Sequence, residues 1–75
     1  KAKRHLVKGL IARIQSKFNV SVAEVDGNDL WQRGVIGVAV MTNQAPYADR
    51  IISKVIDCIR QDGRVELLDY QTEIR

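Results

Sequence analysis

The 75-residue chain predicts an α+β protein, a two-layer sandwich of helices on a sheet. Two observations carry that prediction. Two long segments repeat apolar residues at three- and four-residue spacing, the period of an amphipathic helix. Three short segments are instead rich in β-branched residues or alternate, the mark of strands. In chain order they read α-β-β-α-β.

The first predicted helix covers residues 1–18, with Leu6, Val7, Leu10, Ile11, Ile14 and Phe18 as its apolar stripe. Arg4, Lys8, Arg13 and Lys17 flank the stripe, and Lys3 lies in line with it one turn earlier. The opposite face carries His5, Gly9, Ala12 and Ser16, small or weakly polar residues. A glycine inside a helix costs about 1 kcal/mol against alanine, so Gly9 either serves packing or is a weak spot. Asn19 ends the helix.

Val20 to Val25, "VSVAEV", reads as the first strand, and Gly34 to Thr42, "GVIGVAVMT", as the second. On the second, Ile36, Val38 and Val40 point one way, toward the helices. Val35, Gly37, Ala39 and Met41 form a small apolar face on the other side. The polar loop from Asp26 to Arg33, "DGNDLWQR", joins the two strands. Thr42 or Asn43 is placed to cap the second helix, with Pro46 tolerated in its first turn. That helix turns Ala48, Ile51, Ile52, Val55, Ile56 and Ile59 inward and ends near Gly63, a C-terminal capping residue. Val65 to Ile74 reads as a last strand, with Leu68, Tyr70, Thr72 and Ile74 on one face.

This order is a ferredoxin-like βαββαβ unit, a two-layer α/β sandwich, without its first strand. That strand lies in the middle of the sheet, so the expectation is a longer protein that begins before Lys1. Residues 1–75 are read as one such domain.

Composition excludes several classes. The chain is 45% apolar and 28% charged, ordinary for a globular domain. The longest apolar run, Val35 to Met41, falls far short of the roughly 20 residues a membrane helix needs. A single cysteine, Cys58, cannot form an internal disulfide, which fits a reducing cytoplasm. The charge is unevenly placed. Lys1, Lys3, Arg4, Lys8, Arg13 and Lys17 precede any acid, giving +6 in the first 18 residues. The remainder holds 6 of the 12 basic residues and all 9 acidic ones, a balance of −3. Such an element attracts polyanions.

Chemistry-bearing groups are sparse. His5 turns away from the core and Cys58 sits at the edge of the second apolar stripe, so no thiol–imidazole pair is expected. Cys58 reads as a packing residue and His5 as a surface one. No metal-ligand cluster and no phosphate loop ending in Lys-Ser/Thr occurs, so no catalytic residue, cofactor, metal or small-molecule substrate is assigned. Trp31 has two readings. It stacks on an unpaired base beside Arg33, or, with Leu30 adjacent, it folds over the open end of the core.

The stretches "KAKR", "RIQSKFNVSVAEVD" and "DLWQRGVIGVAVMTN" resemble the YlxP-like family of small bacterial proteins of unknown function. The later helix and "ELLDYQTEI" fit that pattern more loosely. The resemblance implies a ferredoxin-like sandwich, a bacterial cytoplasmic protein and a strand ahead of the basic helix. It also implies genes near those of transcription termination and translation initiation, hence a role around ribosome maturation, and it offers no catalytic residue.

The resulting expectation is a non-enzymatic accessory protein that binds RNA or a ribosomal particle. Its contact residues are Lys1, Lys3, Arg4 and Lys8, with Arg33 added. The alternative is a homodimeric interaction module, joined through the small sheet face or the Gly9/Ala12/Ser16 face, with no nucleic-acid role and no membrane.

Overall fold

A computed structural model describes residues 2–26 and 33–73, with the side chains of the first helix from His5 onward. The element order is α1 (Ala2–Lys17), β1 (Ser21–Asp26), β2 (Val35–Ala39) and α2 (Ala45–Arg60). It is an α+β arrangement in which α1 packs against both β1 and α2.

α1 follows its stripe. Leu10 and Ile14 are buried, Ile14 completely, Phe18 packs against them, and Leu6, Val7 and Ile11 are half-buried. One further turn closes the helix, as Phe18 N–H donates to the Ile14 carbonyl at 2.9 Å. The reverse turn that feeds β1 follows, where Val20 N–H donates to the Phe18 carbonyl at 3.0 Å.

β1 and β2 form a two-stranded antiparallel sheet in which Ser21 faces Ala39, Val22 faces Val38, Ala23 faces Gly37 and Glu24 faces Ile36. The register slips between Glu24 and Asp26, leaving Val25 as the extra residue of a bulge. This register sorts the faces. Val22, Ile36 and Val38 pack against the core, and Ser21, Ala23, Val25 and Ala39 stand exposed on the other side. Gly37 makes room on that outer face: a Cβ there would stand 3.1 Å from Val25 Cγ1.

α2 closes the core. Val55 and Cys58 join Leu10 and Ile14 in its centre, with Ile51 and Ile59 against them. Asp49, Arg50, Ser53, Asp57 and Arg60 are exposed, as their helical spacing requires.

The expected α2 termini need correction. The N-cap is Gln44, extended and without a side-chain cap hydrogen bond, with Pro46 in the first turn. The Thr42 hydroxyl instead accepts from Gln44 N–H at 3.2 Å, which forms the turn that precedes the helix. At the other end the C-cap is Gln61 in a right-handed conformation, so Gly63 lies beyond the cap. No left-handed residue is needed there, because Gln61 and Asp62 N–H satisfy the last carbonyls of Asp57 and Ile59.

The expected last strand is also corrected. Residues 65–73 join no ladder, and Ile74 lies outside the described residues. A strand exists only beside a hydrogen-bonding partner. Among the described residues the only ladder is the one between β1 and β2. The segment is fastened by other means. Val65 packs on the core, its N–H donates to the Asp62 carbonyl at 3.3 Å, and the Arg60 guanidinium lies 5.7 Å from the Tyr70 ring centre. Leu68 and Tyr70 stay exposed.

Candidate nucleic-acid interface

The basic character of α1 is built into its sequence. Its first turn has no acid, and its last turn carries Lys17. Lys3 and Arg4 fall in that first turn, at the positive end of the helix dipole, where cations destabilise a helix and anions are attracted.

The predicted contact residues divide as follows. Lys1 and the side chains of Lys3 and Arg4 lie outside the described residues, as do Leu30 and Trp31 with both readings of the loop. Lys8 is exposed on α1, and Arg33 is exposed just ahead of β2. Neither enters an ion pair among the described residues. The structure thus leaves two of the predicted cations open to solvent and shows no contact that brings them together.

The outer face of α1 is open. His5, Ala12 and Ser16 are exposed, and nothing lies within 4 Å of the position a Cβ would take at Gly9. Internal packing is therefore not the reason for Gly9. The Ser16 hydroxyl donates back to the Arg13 carbonyl at 2.9 Å.

The second flank of α1 holds what the sequence reading missed. Arg13 Nη1 donates to Asp62 Oδ2 at 3.1 Å, linking α1 to the end of α2. Arg64 grips the same carboxylate twice, Nε to Oδ1 and Nη2 to Oδ2, each at 3.1 Å. The Arg64 backbone N–H adds a bond to Oδ1 at 3.0 Å. Asp62 is buried, with only 2% of its side chain exposed, while the side chains of Arg13 and Arg64 remain 39% and 50% exposed. The Arg64 side-chain hydrogen bonds, then its backbone N–H, hold the Asp62 carboxyl down at about 2, and the same pairing raises Arg64. The signal for this turn was present: Asp-Gly-Arg after a helix is a sequence in which the aspartate accepts from the backbone two residues on. Its partner, Arg13, stands 49 residues away, beyond the reach of local pattern.

The two groups weighed for a thiol–imidazole pair stand in different surroundings. His5 is exposed on α1 and Cys58 is buried in the core. Among the described residues no group of three or more His, Cys, Asp or Glu side chains could hold a metal ion. No described helix is long and apolar enough to cross a membrane.

Residues 1–72 match the family described as "Protein of unknown function (DUF503)". The chain is also similar to the "Uncharacterized protein YlxP" of Bacillus subtilis (strain 168). The two are 32% identical over 73 residues, which covers 97% of this chain and 79% of that protein. No solved structure matches. The chain belongs to this YlxP-like family of unknown function.

Proposed function

We propose that this family member is a non-enzymatic accessory protein of the bacterial cytoplasm that binds RNA, or the RNA surface of a ribosomal particle, through α1. The observation that carries the reading is the placement of six cations and no acid in the first 18 residues of a protein whose remainder is net negative. A surface helix under no functional demand mixes both signs, since pairs of Glu and Lys one turn apart stabilise it. Here the charges oppose the helix dipole at its first turn and repel one another along its length. A phosphate backbone is the partner that turns both costs into attraction. Lys1, Lys3, Arg4 and Lys8 supply the contact, with Arg33 at its margin. We read the α-β-β-α order as the inner part of a ferredoxin-like βαββαβ sandwich, a reading supported by the antiparallel hairpin packed beneath α1.

The test is co-sedimentation with ribosomal particles. The protein should travel with them at low salt and be released at high salt. Replacing Lys3, Arg4 and Lys8 together by Glu should abolish the association while the variant melts as the native protein does. Undiminished association of that variant would refute the site.

One observation favours a second reading, a homodimer without a nucleic-acid role. The outer sheet face is apolar and uncovered, with Val25 62% and Val35 51% exposed around Gly37. Ala39 is exposed at the end of that face, so Ala39→Arg leaves the core intact and should split such a dimer. Ultracentrifugation that finds only monomer at high micromolar concentration removes this reading.

A further inference from the structure

We infer that Arg13 and Arg64, locked on the buried carboxylate of Asp62, form a phosphate-binding site for the RNA backbone on the flank of α1 opposite Lys8. The inference rests on the RNA-binding reading above and extends it to residues that reading does not use.

The geometry is that of a prepared pair. Both guanidiniums donate to the same oxygen, Asp62 Oδ2, each at 3.1 Å, so their donating nitrogens lie within about twice that distance of each other. Asp62 needs only one of them. Arg64 engages both carboxylate oxygens through two side-chain donors and adds its backbone N–H. Arg13 brings a second positive charge to a carboxylate that is already paired. The cluster of two cations and one anion therefore keeps one uncompensated positive charge.

Both guanidiniums keep donors that Asp62 does not use. A guanidinium has five N–H groups. The bonds to Asp62 occupy one donor of Arg13 and two of Arg64, and both side chains are about half exposed. A phosphate oxygen pair suits two planar forks better than it suits flexible ammonium groups. The buried carboxylate also fixes both side chains before any ligand arrives, which lowers the ordering cost of binding. Lys17, exposed one helical turn after Arg13, adds a third cation beside them.

The experiment is a binding titration of a fluorescein-labelled single-stranded oligouridine 12-mer over a salt series, with folding followed by far-UV circular dichroism. The triple variant Arg13→Gln, Asp62→Asn, Arg64→Gln removes the site without stranding a buried charge, and it lowers net charge by one. Lys54→Gln, on the exposed face of α2, lowers net charge equally elsewhere. The triple variant should bind about tenfold more weakly, and its salt slope should shrink by about 0.7, the share of one phosphate contact on a single strand. Lys54→Gln should stay within about twofold of the native protein. Arg13→Lys with Arg64→Lys keeps the charge and the ion pairs but loses the forks, so affinity should fall roughly fivefold at an unchanged slope. A folded triple variant that binds as tightly as the native protein overturns the site and leaves the basic-helix reading standing. Should the triple variant fail to fold, unchanged affinity in the lysine pair overturns it instead. If the native protein itself does not bind the oligonucleotide at low salt, both readings fall together.

Discussion

At the residue scale, three positions explain most of what the fold requires. Ile14 has no exposed surface and stands at the centre of the cluster formed with Leu10, Val55 and Cys58. Ile14→Ala removes that centre and should cost about 3 kcal/mol, read as a lowered urea midpoint. In a protein this small such a loss approaches the whole stability. Gly9 works the other way. With nothing within 4 Å of a Cβ there, Gly9→Ala meets no obstacle and should stabilise α1 by about 1 kcal/mol, seen as a melting temperature several degrees higher. Asp62 sets the response to acid. Its carboxyl is held down at about 2 against an ordinary 3.8, chiefly by the Arg64 hydrogen bonds. A depressed carboxyl stabilises the fold fully above its unfolded value and loses that contribution as pH falls toward its folded one. The melting-temperature advantage of the native protein over Asp62→Asn should therefore be constant above about pH 4 and shrink between 3.8 and about 2. An advantage that persists unchanged at pH 2 would contradict the role given to this carboxylate.

At the element scale, the weak point is the start of α2. Gln44 caps it without a side-chain hydrogen bond, and the first turn contains no acid. Gln44→Asp supplies both a capping oxygen and a favourable charge at the positive end of the helix. It should add about 1 kcal/mol, measurable as a raised melting temperature. The elements show where the sequence was legible. The apolar periods placed α1, α2 and the hairpin to within a few residues, because burial of one face decides those segments wherever the chain is cut into windows. Inward Ile36 and Val38 against outward Ala39 follow from alternation along the second strand. The caps of α2 were not legible, since Thr42, Asn43 and Gln44 are all acceptable near a helix start and only backbone angles choose among them. Residues 65–73 were misread for a different reason. Their composition favours a strand, but strand formation depends on a partner that composition cannot supply. Likewise Arg13 was legible as a cation and not as a clamp, because Asp62 lies 49 residues away.

At the scale of the whole molecule, charge and shape divide the work. The basic helix packs on one side of the hairpin and the exposed residues of the outer sheet face lie on the other, so the proposed nucleic-acid contact and the proposed sheet-face dimer would use different surfaces. Changes at Ala39 should leave RNA binding untouched, whereas charge reversal on α1 should leave the oligomeric state untouched. The net charge of +3 is too small to explain tight polyanion binding by the molecule as a whole. The proposed RNA binding therefore depends on the local concentration of cations on α1. The most direct test is the salt dependence of affinity for a single-stranded RNA, compared between the native protein and Lys3→Glu, Arg4→Glu, Lys8→Glu. Three or more phosphate contacts from Lys3, Arg4 and Lys8 predict a slope of log K against log salt steeper than about −2 for the native protein, with about 2 of that slope lost in the triple variant. Equal slopes in the two proteins, or no measurable binding by the native protein at low salt, would contradict RNA binding through α1.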